Sequence, residues 1–209
     1  MIILDFDGVL FDDARFKKDV WRLFERFGIP RHVHQEAYQE TKARHGAYRH
    51  DTHIRLIRRR MPSVDASALR GDLERLLGHS RRYLYRDARA FLAYGRKNGH
   101  ALALASNGYA FQKKKVAASG IASLLDAVAV MAIPKSRMIR ALARRFPEES
   151  IFFIDDKTSV LDEVKRRMPR VIAIHMLRRS GPERSTRTDA IVSTLPAARR
   201  FIERRLPRP

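Results

Sequence analysis

Ile2-Ile3-Leu4-Asp5-Phe6-Asp7-Gly8-Val9 is the stretch near the N-terminus that decides the fold. It begins as a short apolar run, typical of a buried strand, and ends in two carboxylates one residue apart. Gly8 then allows the backbone to turn sharply after the strand. Because open parallel sheets bind ligands beyond the carboxyl ends of their strands, this order predicts a sheet whose ligand site contains Asp5 and Asp7.

Two later segments repeat this pattern of an apolar run followed by small polar or acidic side chains. Residues 101–108 lead into Ser106 and Asn107, and a third apolar run ends in Asp155 and Asp156. The three segments are therefore predicted to form buried strands whose polar ends lie at the same edge of one parallel sheet. Strand and helix patterns alternate through the second half of the chain, which favours a sheet covered by helices on both faces.

Together with Lys135, these segments resemble the four motifs of the haloacid dehalogenase (HAD) superfamily, a large group of mostly magnesium-dependent phosphatases. The motifs occur in the family's order and span residues 2 to about 195. A single Asp-x-Asp is weak evidence, whereas four motifs in sequence, three of them at strand ends, are specific. The resemblance implies an α/β fold, a HAD-like, Rossmann-like doubly wound parallel sheet with a small all-helical cap domain inserted.

A phosphate monoester is anionic, so a carboxylate can attack its phosphorus only where a cation and hydrogen-bond donors offset the repulsion. The resemblance implies that Asp5 is the nucleophile and that Asp7 exchanges protons with the leaving oxygen and the hydrolytic water. Ser106 and Asn107 would bind the phosphoryl oxygens, and Lys135 would bind phosphate and neutralise the nucleophile. Asp7 favours phosphoryl transfer over dehalogenation, because the superfamily's dehalogenases lack an acid there.

Magnesium is the implied cofactor, since Mg²⁺ prefers octahedral oxygen ligands. The implied ligands are the side chains of Asp5 and Asp156, the backbone carbonyl of Asp7, and Asp155, which would bind directly or through water. The chain departs from the family pattern four positions after Asp156, where Val160 stands in place of the frequent acid or amide.

Residues 12–86 show helical spacing of apolar side chains and no convincing strand pattern. Glycines and prolines separate four predicted helices, near residues 16–27, 33–47, 52–60 and 66–77. An insertion directly after the first motif matches the C1-type helical cap of one large HAD subgroup. We therefore predict a core domain of residues 1–11 and 87–209 and a cap domain of residues 12–86, which closes over the site and selects the substrate.

The 209-residue chain carries 43 basic and 23 acidic side chains, a formal net charge of +20. Such a surface attracts phosphorylated substrates or nucleic acid, but no nucleic-acid motif accompanies the charge. Lys113, Lys114 and Lys115 are accordingly interpreted as a solvated helix face. The chain has no cysteine, which excludes disulfides and thiolate sites and agrees with a reducing cytosol. Since no signal-like leader or membrane-length apolar run occurs, we predict a cytoplasmic protein without a membrane partner.

The predicted function is Mg²⁺-dependent hydrolysis of a phosphoric monoester, through an aspartyl-phosphate, with a small phosphorylated metabolite or nucleotide as substrate. One alternative is a phosphomutase of the same superfamily, which returns the phosphate to a bound sugar. A second alternative is a weakly catalytic HAD-like protein that binds nucleic acid or another partner through its basic surface. A closing cap disfavours polymeric substrates. The sequence makes no prediction about the oligomeric state.

Overall fold

A six-stranded parallel sheet forms the centre of the protein in a computed structural model, which describes residues 1–146, 150–178 and 187–206. In chain order its strands are β1 (Ile2–Leu4), β2 (Leu102–Asn107), β3 (Ala127–Met131), β4 (Phe152–Asp155), β5 (Ile172–Met176) and β6 (Ala190–Val192). They lie in the order β3-β2-β1-β4-β5-β6, and every neighbouring pair is parallel. The predicted α/β fold with a doubly wound parallel sheet is confirmed.

Nine α-helices occur in the described part of the chain: α1 (Asp13–Arg26), α2 (Arg31–His45), α3 (His50–Arg60), α4 (Ala66–Gly78), α5 (Ala88–Lys97), α6 (Ala110–Ala118), α7 (Lys135–Ala143), α8 (Thr158–Arg167) and α9 (Leu195–Arg205). Helix α9 has no counterpart among the predicted elements. Thr194 caps it, its hydroxyl accepting a hydrogen bond from the Ala197 N–H, and Pro196 lies in its first turn.

The central strand β1 is buried on both faces. Ile2 and Leu4 pack into one apolar cluster and Ile3 packs into another, and all three side chains are fully buried. Connections from β1 move outward through β2 to β3, and the chain then crosses to the other side of β1 to form β4. This reversal creates the crevice at the carboxyl ends of β1 and β4 where doubly wound sheets bind ligands.

Helices α1 to α4 and a short 3₁₀ helix, Ser80–Tyr83, form the insertion between β1 and α5. The chain enters and leaves the insertion at adjacent points, because the Asp12 N–H donates to the Tyr83 carbonyl and the Tyr85 N–H donates to the Leu10 carbonyl. Apolar side chains of the insertion belong to the same cluster as Leu4. The division into a core domain and a cap domain stays a prediction, and residues 147–149, 179–186 and 207–209 of the predicted core lie outside the described residues.

Among the described helices, none combines the length and apolar character needed to cross a membrane.

Candidate active site

The predicted nucleophile lies at the carboxyl end of the central strand. Leu4 is in register with Leu104 on one side and with Ile154 on the other, so Asp5 lies between the ends of β2 and β4. The Asp5 N–H donates to the Ile154 carbonyl (2.9 Å), and Asp5 Oδ1 accepts the Phe6 N–H (2.7 Å). Asp5 is only 2% exposed, so its orientation is fixed by the strand that carries it.

Gly8 closes the loop after β1 and allows another carboxylate to approach the backbone. Its φ is +76°, and a Cβ atom at this position would lie 2.2 Å from Asp156 Oδ2. The Gly8 N–H donates to the Phe11 carbonyl and the Phe11 N–H donates to the Phe6 carbonyl, both at 2.9 Å. The glycine is therefore required both by the turn and by the packing of Asp156.

Lys135, the first residue of α7, lies between two carboxylates. Its Nζ is 2.8 Å from Asp5 Oδ1 and 2.6 Å from Asp155 Oδ2, and the residue is 3% exposed. Burial alone would lower the pKa of Lys135, but Asp5 and Asp155 outweigh burial and raise it. Burial, and secondarily Asp155, raise the pKa of Asp5 even though Lys135 opposes them. The lysine thus compensates only part of the charge around it.

Asp5, Asp155 and Asp156 form a cluster in which one oxygen of each carboxylate lies within 4.8 Å of the others. Asp156 Oδ1 is buried and has no hydrogen-bond partner. Burial, followed by the charge of Asp5, raises the pKa of Asp156 to about 7. Three converging carboxylates, of which Lys135 contacts only Asp5 and Asp155, together with the unpaired Asp156 oxygen, are a donor set that fits a divalent cation with oxygen ligands.

The polar end of β2 lies beside this cluster. Ser106 is buried, and its Oγ accepts a hydrogen bond from Gln112 Nε2 at 2.9 Å. Asn107 Nδ2 donates to the Ile133 carbonyl at 2.7 Å, so this side chain holds the segment that leads into Lys135. The structure brings both residues to the same sheet edge as Asp5, and their contact with phosphate stays a prediction.

Asp7 is engaged by two side chains of α6 that the sequence analysis did not include in the site. Lys115 Nζ lies 2.6 Å from Asp7 Oδ1, and Gln112 Nε2 lies 2.9 Å from Asp7 Oδ2. Burial would raise the pKa of Asp7, but Lys115 and Gln112 lower it. The interpretation of Lys113, Lys114 and Lys115 as a solvated face is wrong for Lys115, which is 5% exposed.

Lys157 and His175 are two further charged or titratable neighbours of the acidic cluster. Burial would lower the pKa of Lys157, but Asp5 and Asp156 dominate and raise it. The Lys157 N–H donates to Asp155 Oδ1 at 2.8 Å, which orients that carboxylate from its own loop. His175 Nε2 lies 3.3 Å from the Asp156 carbonyl oxygen, and its Nδ1 is buried without a partner.

Helix α8 carries Val160 at the position where the family often has an acid or amide, and it supports the site through another residue. Val160 packs against the apolar cluster on one face of the sheet. Glu163, one turn later, accepts a hydrogen bond from Ser136 Oγ at 2.6 Å. Ser136 is buried and directly follows Lys135, so α8 holds the start of α7 rather than adding an acid to the cluster at Val160.

A signal for the missed residues was present in the sequence. Gln112 and Lys115 are three residues apart, so on a helix that follows Ser106 they share one face. A helix beginning just beyond the carboxyl end of β2 lies next to the edge where Asp7 was expected. If the three lysines are assigned to separate positions on the helix, and not to one charged run, Lys115 is predicted to face the site.

Comparisons with known proteins identify the family and the fold. The family model for haloacid dehalogenase-like hydrolases matches residues 1–159. No curated protein matches the chain by sequence. A solved structure named as a haloacid dehalogenase-like hydrolase from Burkholderia xenovorans LB400 superimposes with a TM-score of 0.80 at 17% identity, covering 99% of this chain and 98% of that one.

Other solved structures share the fold at similar identity. A HAD phosphatase from Thermococcus onnurineus has a TM-score of 0.70 at 17% identity, with 96% of each chain covered. A protein named as the HAD-hydrolase YfnB from Bacillus subtilis, bound to magnesium, has a TM-score of 0.69 at 15% identity, with 97% of each chain covered. Dehalogenases and a protein named as a β-phosphoglucomutase also have this fold, so the fold alone does not select one reaction. Since the family model covers more than half of the sequence, the chain belongs to the haloacid dehalogenase-like hydrolases.

Proposed function

We propose that the protein is a Mg²⁺-dependent phosphatase that hydrolyses a small phosphoric monoester through an aspartyl-phosphate on Asp5. The observation that carries the proposal is the pairing of two acids in different environments. Asp5 is buried against Lys135, while Asp7, two residues later, retains a 27% exposed side chain. A buried nucleophile beside a partly accessible proton carrier suits a reaction whose leaving oxygen must be protonated.

In the first step a carboxylate oxygen of Asp5 bonds to phosphorus, and the bond between phosphorus and the ester oxygen breaks. The ester oxygen keeps the bonding electron pair and takes a proton from Asp7, so an alcohol leaves. Because Lys115 and Gln112 lower the pKa of Asp7, Asp7 is ionised in the free protein. The monoanionic form of the substrate, which is abundant near the second phosphate pKa of about 6, supplies the proton that Asp7 passes on.

In the second step Asp7 acts as a base. It accepts a proton from a water molecule, whose oxygen bonds to phosphorus while the bond between phosphorus and Asp5 breaks. Asp5 returns to a free carboxylate, and inorganic phosphate leaves. Ser106 donates its hydroxyl hydrogen to a phosphoryl oxygen in this proposal, and Asn107 contributes its backbone N–H.

Asp5, Asp155 and Asp156, with the Asp7 carbonyl, are the groups that would hold Mg²⁺. A bound Mg²⁺ supplies positive charge that offsets the repulsion between the carboxylate nucleophile and the phosphoryl group. Lys135, in contact with both Asp5 and Asp155, supplies a second positive charge beside the nucleophile. A magnesium-bound relative and the unpaired Asp156 oxygen support this assignment.

The helical insertion limits the proposed substrate to a small metabolite or nucleotide. Tyr109, three residues after Ser106, donates its hydroxyl hydrogen to the His45 carbonyl at 2.7 Å, so the end of α2 lies close to the phosphate-binding segment. Arg49 lies with its guanidinium carbon 5.4 Å from the centre of the Tyr109 ring. An insertion in contact with this segment leaves little room for a polymer beside the reacting phosphate.

The test is phosphate release from a panel of phosphorylated metabolites and nucleotides, with Mg²⁺ or with EDTA, for the wild type and Asp5→Asn. We expect turnover that requires Mg²⁺ and is lost in Asp5→Asn, since an amide cannot form the aspartyl-phosphate. Asp51→Asn is the matched control, because it makes the same chemical change at a side chain that is 49% exposed.

Each alternative has its own outcome in this test. Turnover that survives in Asp5→Asn would overturn the nucleophile assignment. Transfer of phosphate to another position of the substrate, with no inorganic phosphate released, would identify a phosphomutase. A folded wild type that releases phosphate from nothing, yet binds oligonucleotides with strong salt dependence, would favour the nucleic-acid alternative.

A further inference from the structure

Lys115 is a buried cation that belongs to none of the four family motifs. It lies on α6, its side chain is 6% exposed, and its Nζ is 2.6 Å from Asp7 Oδ1. Its neighbour Lys114 is 53% exposed and pairs with Glu74 on the surface. Lys115 therefore points towards Asp7 because of its position on the helix, whereas the adjacent Lys114 points to the surface.

Gln112 completes the contact with Asp7 from the preceding turn of the same helix. Its Nε2 lies 2.9 Å from Asp7 Oδ2 and 2.9 Å from Ser106 Oγ. Both oxygens of Asp7 thus have a side-chain donor from α6, which fixes rotation of the carboxylate group. The same amide connects Asp7 to the serine assigned to phosphate binding.

Three aromatic rings surround the ammonium group of Lys115. The ring centres of Phe6, Phe11 and Phe16 lie 5.6, 4.9 and 5.4 Å from Nζ. Cation–π attraction partly replaces the hydration that the ammonium group loses on burial. Phe6 and Phe11 belong to the loop that carries Asp7, and Phe16 belongs to α1 of the insertion. The rings hold Lys115 in place, and Lys115 in turn holds Asp7.

We propose that Lys115 is a positioning residue which, with Gln112, holds the Asp7 carboxylate in the orientation from which it exchanges a proton with the leaving oxygen. The proposal rests on the phosphatase function proposed above. Both oxygens of Asp7 accept hydrogen bonds from α6, and 27% of its side chain still remains accessible. Substrate can therefore approach Asp7 without displacing Lys115.

The first experiment measures kcat/KM for a series of phosphate monoesters, from p-nitrophenyl phosphate to alkyl phosphates, in wild type and Lys115→Met. Methionine keeps the length of the side chain and packs well against aromatic rings. A p-nitrophenolate leaving group needs little protonation, whereas an alkoxide needs Asp7. We expect kcat/KM to fall about tenfold or more for alkyl phosphates and less than about threefold for p-nitrophenyl phosphate. An equal loss for all esters, or no loss, would overturn the proposal.

Three further variants separate positioning from general damage. Lys114→Met is the matched control on the same helix and should leave the whole series unchanged. Gln112→Met removes the other donor to Asp7 and also the donor to Ser106. We therefore expect a loss common to all esters and, on top of it, an additional loss for alkyl phosphates that is smaller than in Lys115→Met. In an Asp7→Asn background, Lys115→Met should change kcat/KM for alkyl phosphates by less than about twofold, because there is no longer a carboxylate to hold. A full additional loss in that background would contradict the proposal.

A structural comparison tests whether Lys115 positions Asp7 without relying on activity. If the wild type hydrolyses none of the esters, the proposed phosphatase function fails, but this comparison still tests the role of Lys115. Crystal structures of the wild type and Lys115→Met are compared at Asp7. We expect one Asp7 orientation in the wild type and a rotated or multiple orientation in the variant. An unchanged Asp7 side chain in Lys115→Met would show that Lys115 does not position it.

Discussion

Two buried lysines contact the carboxylates of the site under different electrostatic conditions. Lys135 lies between two carboxylates, 2.8 Å from Asp5 and 2.6 Å from Asp155. Lys115 has the single carboxylate of Asp7 at 2.6 Å and three phenylalanine rings around its ammonium group. Lys135 therefore neutralises part of an acidic cluster, whereas Lys115 neutralises one carboxylate, that of Asp7. The difference separates a residue that supports the charge of the reacting centre from one that orients a single side chain.

The largest effect is expected from Lys135→Met. Removing one member of a buried ion pair costs about 3–5 kcal/mol, because the remaining charge is left uncompensated. Here two carboxylates, Asp5 and Asp155, lose their shared cation, so we expect a loss of this size in urea unfolding measured with EDTA. We also expect kcat/KM to fall by at least about 10³ for every ester, since the nucleophile itself is disturbed.

Lys115→Met is the matched comparison, because the same chemical change is made at an equally buried lysine. It should destabilise the protein less, since only one carboxylate is left and that carboxylate is partly accessible to water. If Lys135→Met instead reproduced the leaving-group dependence expected for Lys115→Met, the two lysines would share one role and the comparison would fail.

The second prediction concerns Gly8, which directly follows Asp7, the partner of Lys115, and approaches Asp156 in the acidic cluster that Lys135 contacts. Gly8→Ala forces a side chain into a positive φ and towards Asp156 Oδ2. Gly28→Ala is the control, because Gly28 has a φ of +68° but no atom within 4 Å of the added Cβ. Since both share the backbone cost, we expect Gly8→Ala to lower the free energy of unfolding by about 1–3 kcal/mol more than Gly28→Ala. Equal losses would mean that Asp156 moves aside without cost.

The two environments also differ in how far the sequence predicts them. Asp5, Ser106 and Asp155 follow apolar runs that end at the same edge of a parallel sheet, so periodicity alone brings them together. Lys135 was placed by resemblance, and in the structure its Nζ lies 2.8 Å from Asp5 Oδ1. Lys115 was missed because the three lysines were interpreted as one solvated face, although its spacing from Gln112 places both on one side of the helix. Which side of the helix meets the site depends on packing against Phe6 and Phe11.

Element boundaries show the same division between local and tertiary information. Strand β2, Leu102–Asn107, lies within the apolar run at residues 101–108 that predicts it, because it depends on a local pattern. Helix α9 was not predicted, although Thr194 and Pro196 provide a start signal. Leu195, Ala198 and Ile202 are buried in the structure and show which side of this short, arginine-rich helix faces the core.

The third prediction uses pH to test the excess negative charge around Lys135. Burial and neighbouring acids raise the pKa of Asp156 from 3.8 to about 7. Between these values the folded protein binds more protons than the unfolded chain, so its free energy of unfolding falls as pH rises through that window. The shift corresponds to at most about 4 kcal/mol, and partial exposure of Asp156 reduces the expected fall to about 1–2 kcal/mol.

Urea unfolding of wild type and Asp156→Asn between pH 4 and 7, with EDTA, isolates this contribution, because asparagine does not titrate. The difference between the two proteins should change by about 1–2 kcal/mol across the window, and Mg²⁺ should remove most of that change by binding the ionised carboxylate. Parallel pH profiles in EDTA would show that Lys135 and Lys157 already compensate the cluster. The difference between the two lysine environments would then be smaller than their contacts indicate.

The smallest effect is expected from Tyr109→Phe, which removes the hydrogen bond to the His45 carbonyl. Loss of one partly buried hydrogen bond should cost about 0.5–1.5 kcal/mol in urea unfolding. Because the Tyr109 hydroxyl donates to the insertion and not to a site carboxylate, kcat/KM should change by the same small factor for every leaving group. Lys114→Met, which removes a surface contact to the same insertion, provides the comparison. A selective loss of activity towards alkyl phosphates in Tyr109→Phe would contradict this expectation. It would mean that the position of Asp7 depends on how the insertion packs, through the contact between Phe16 of the insertion and Lys115.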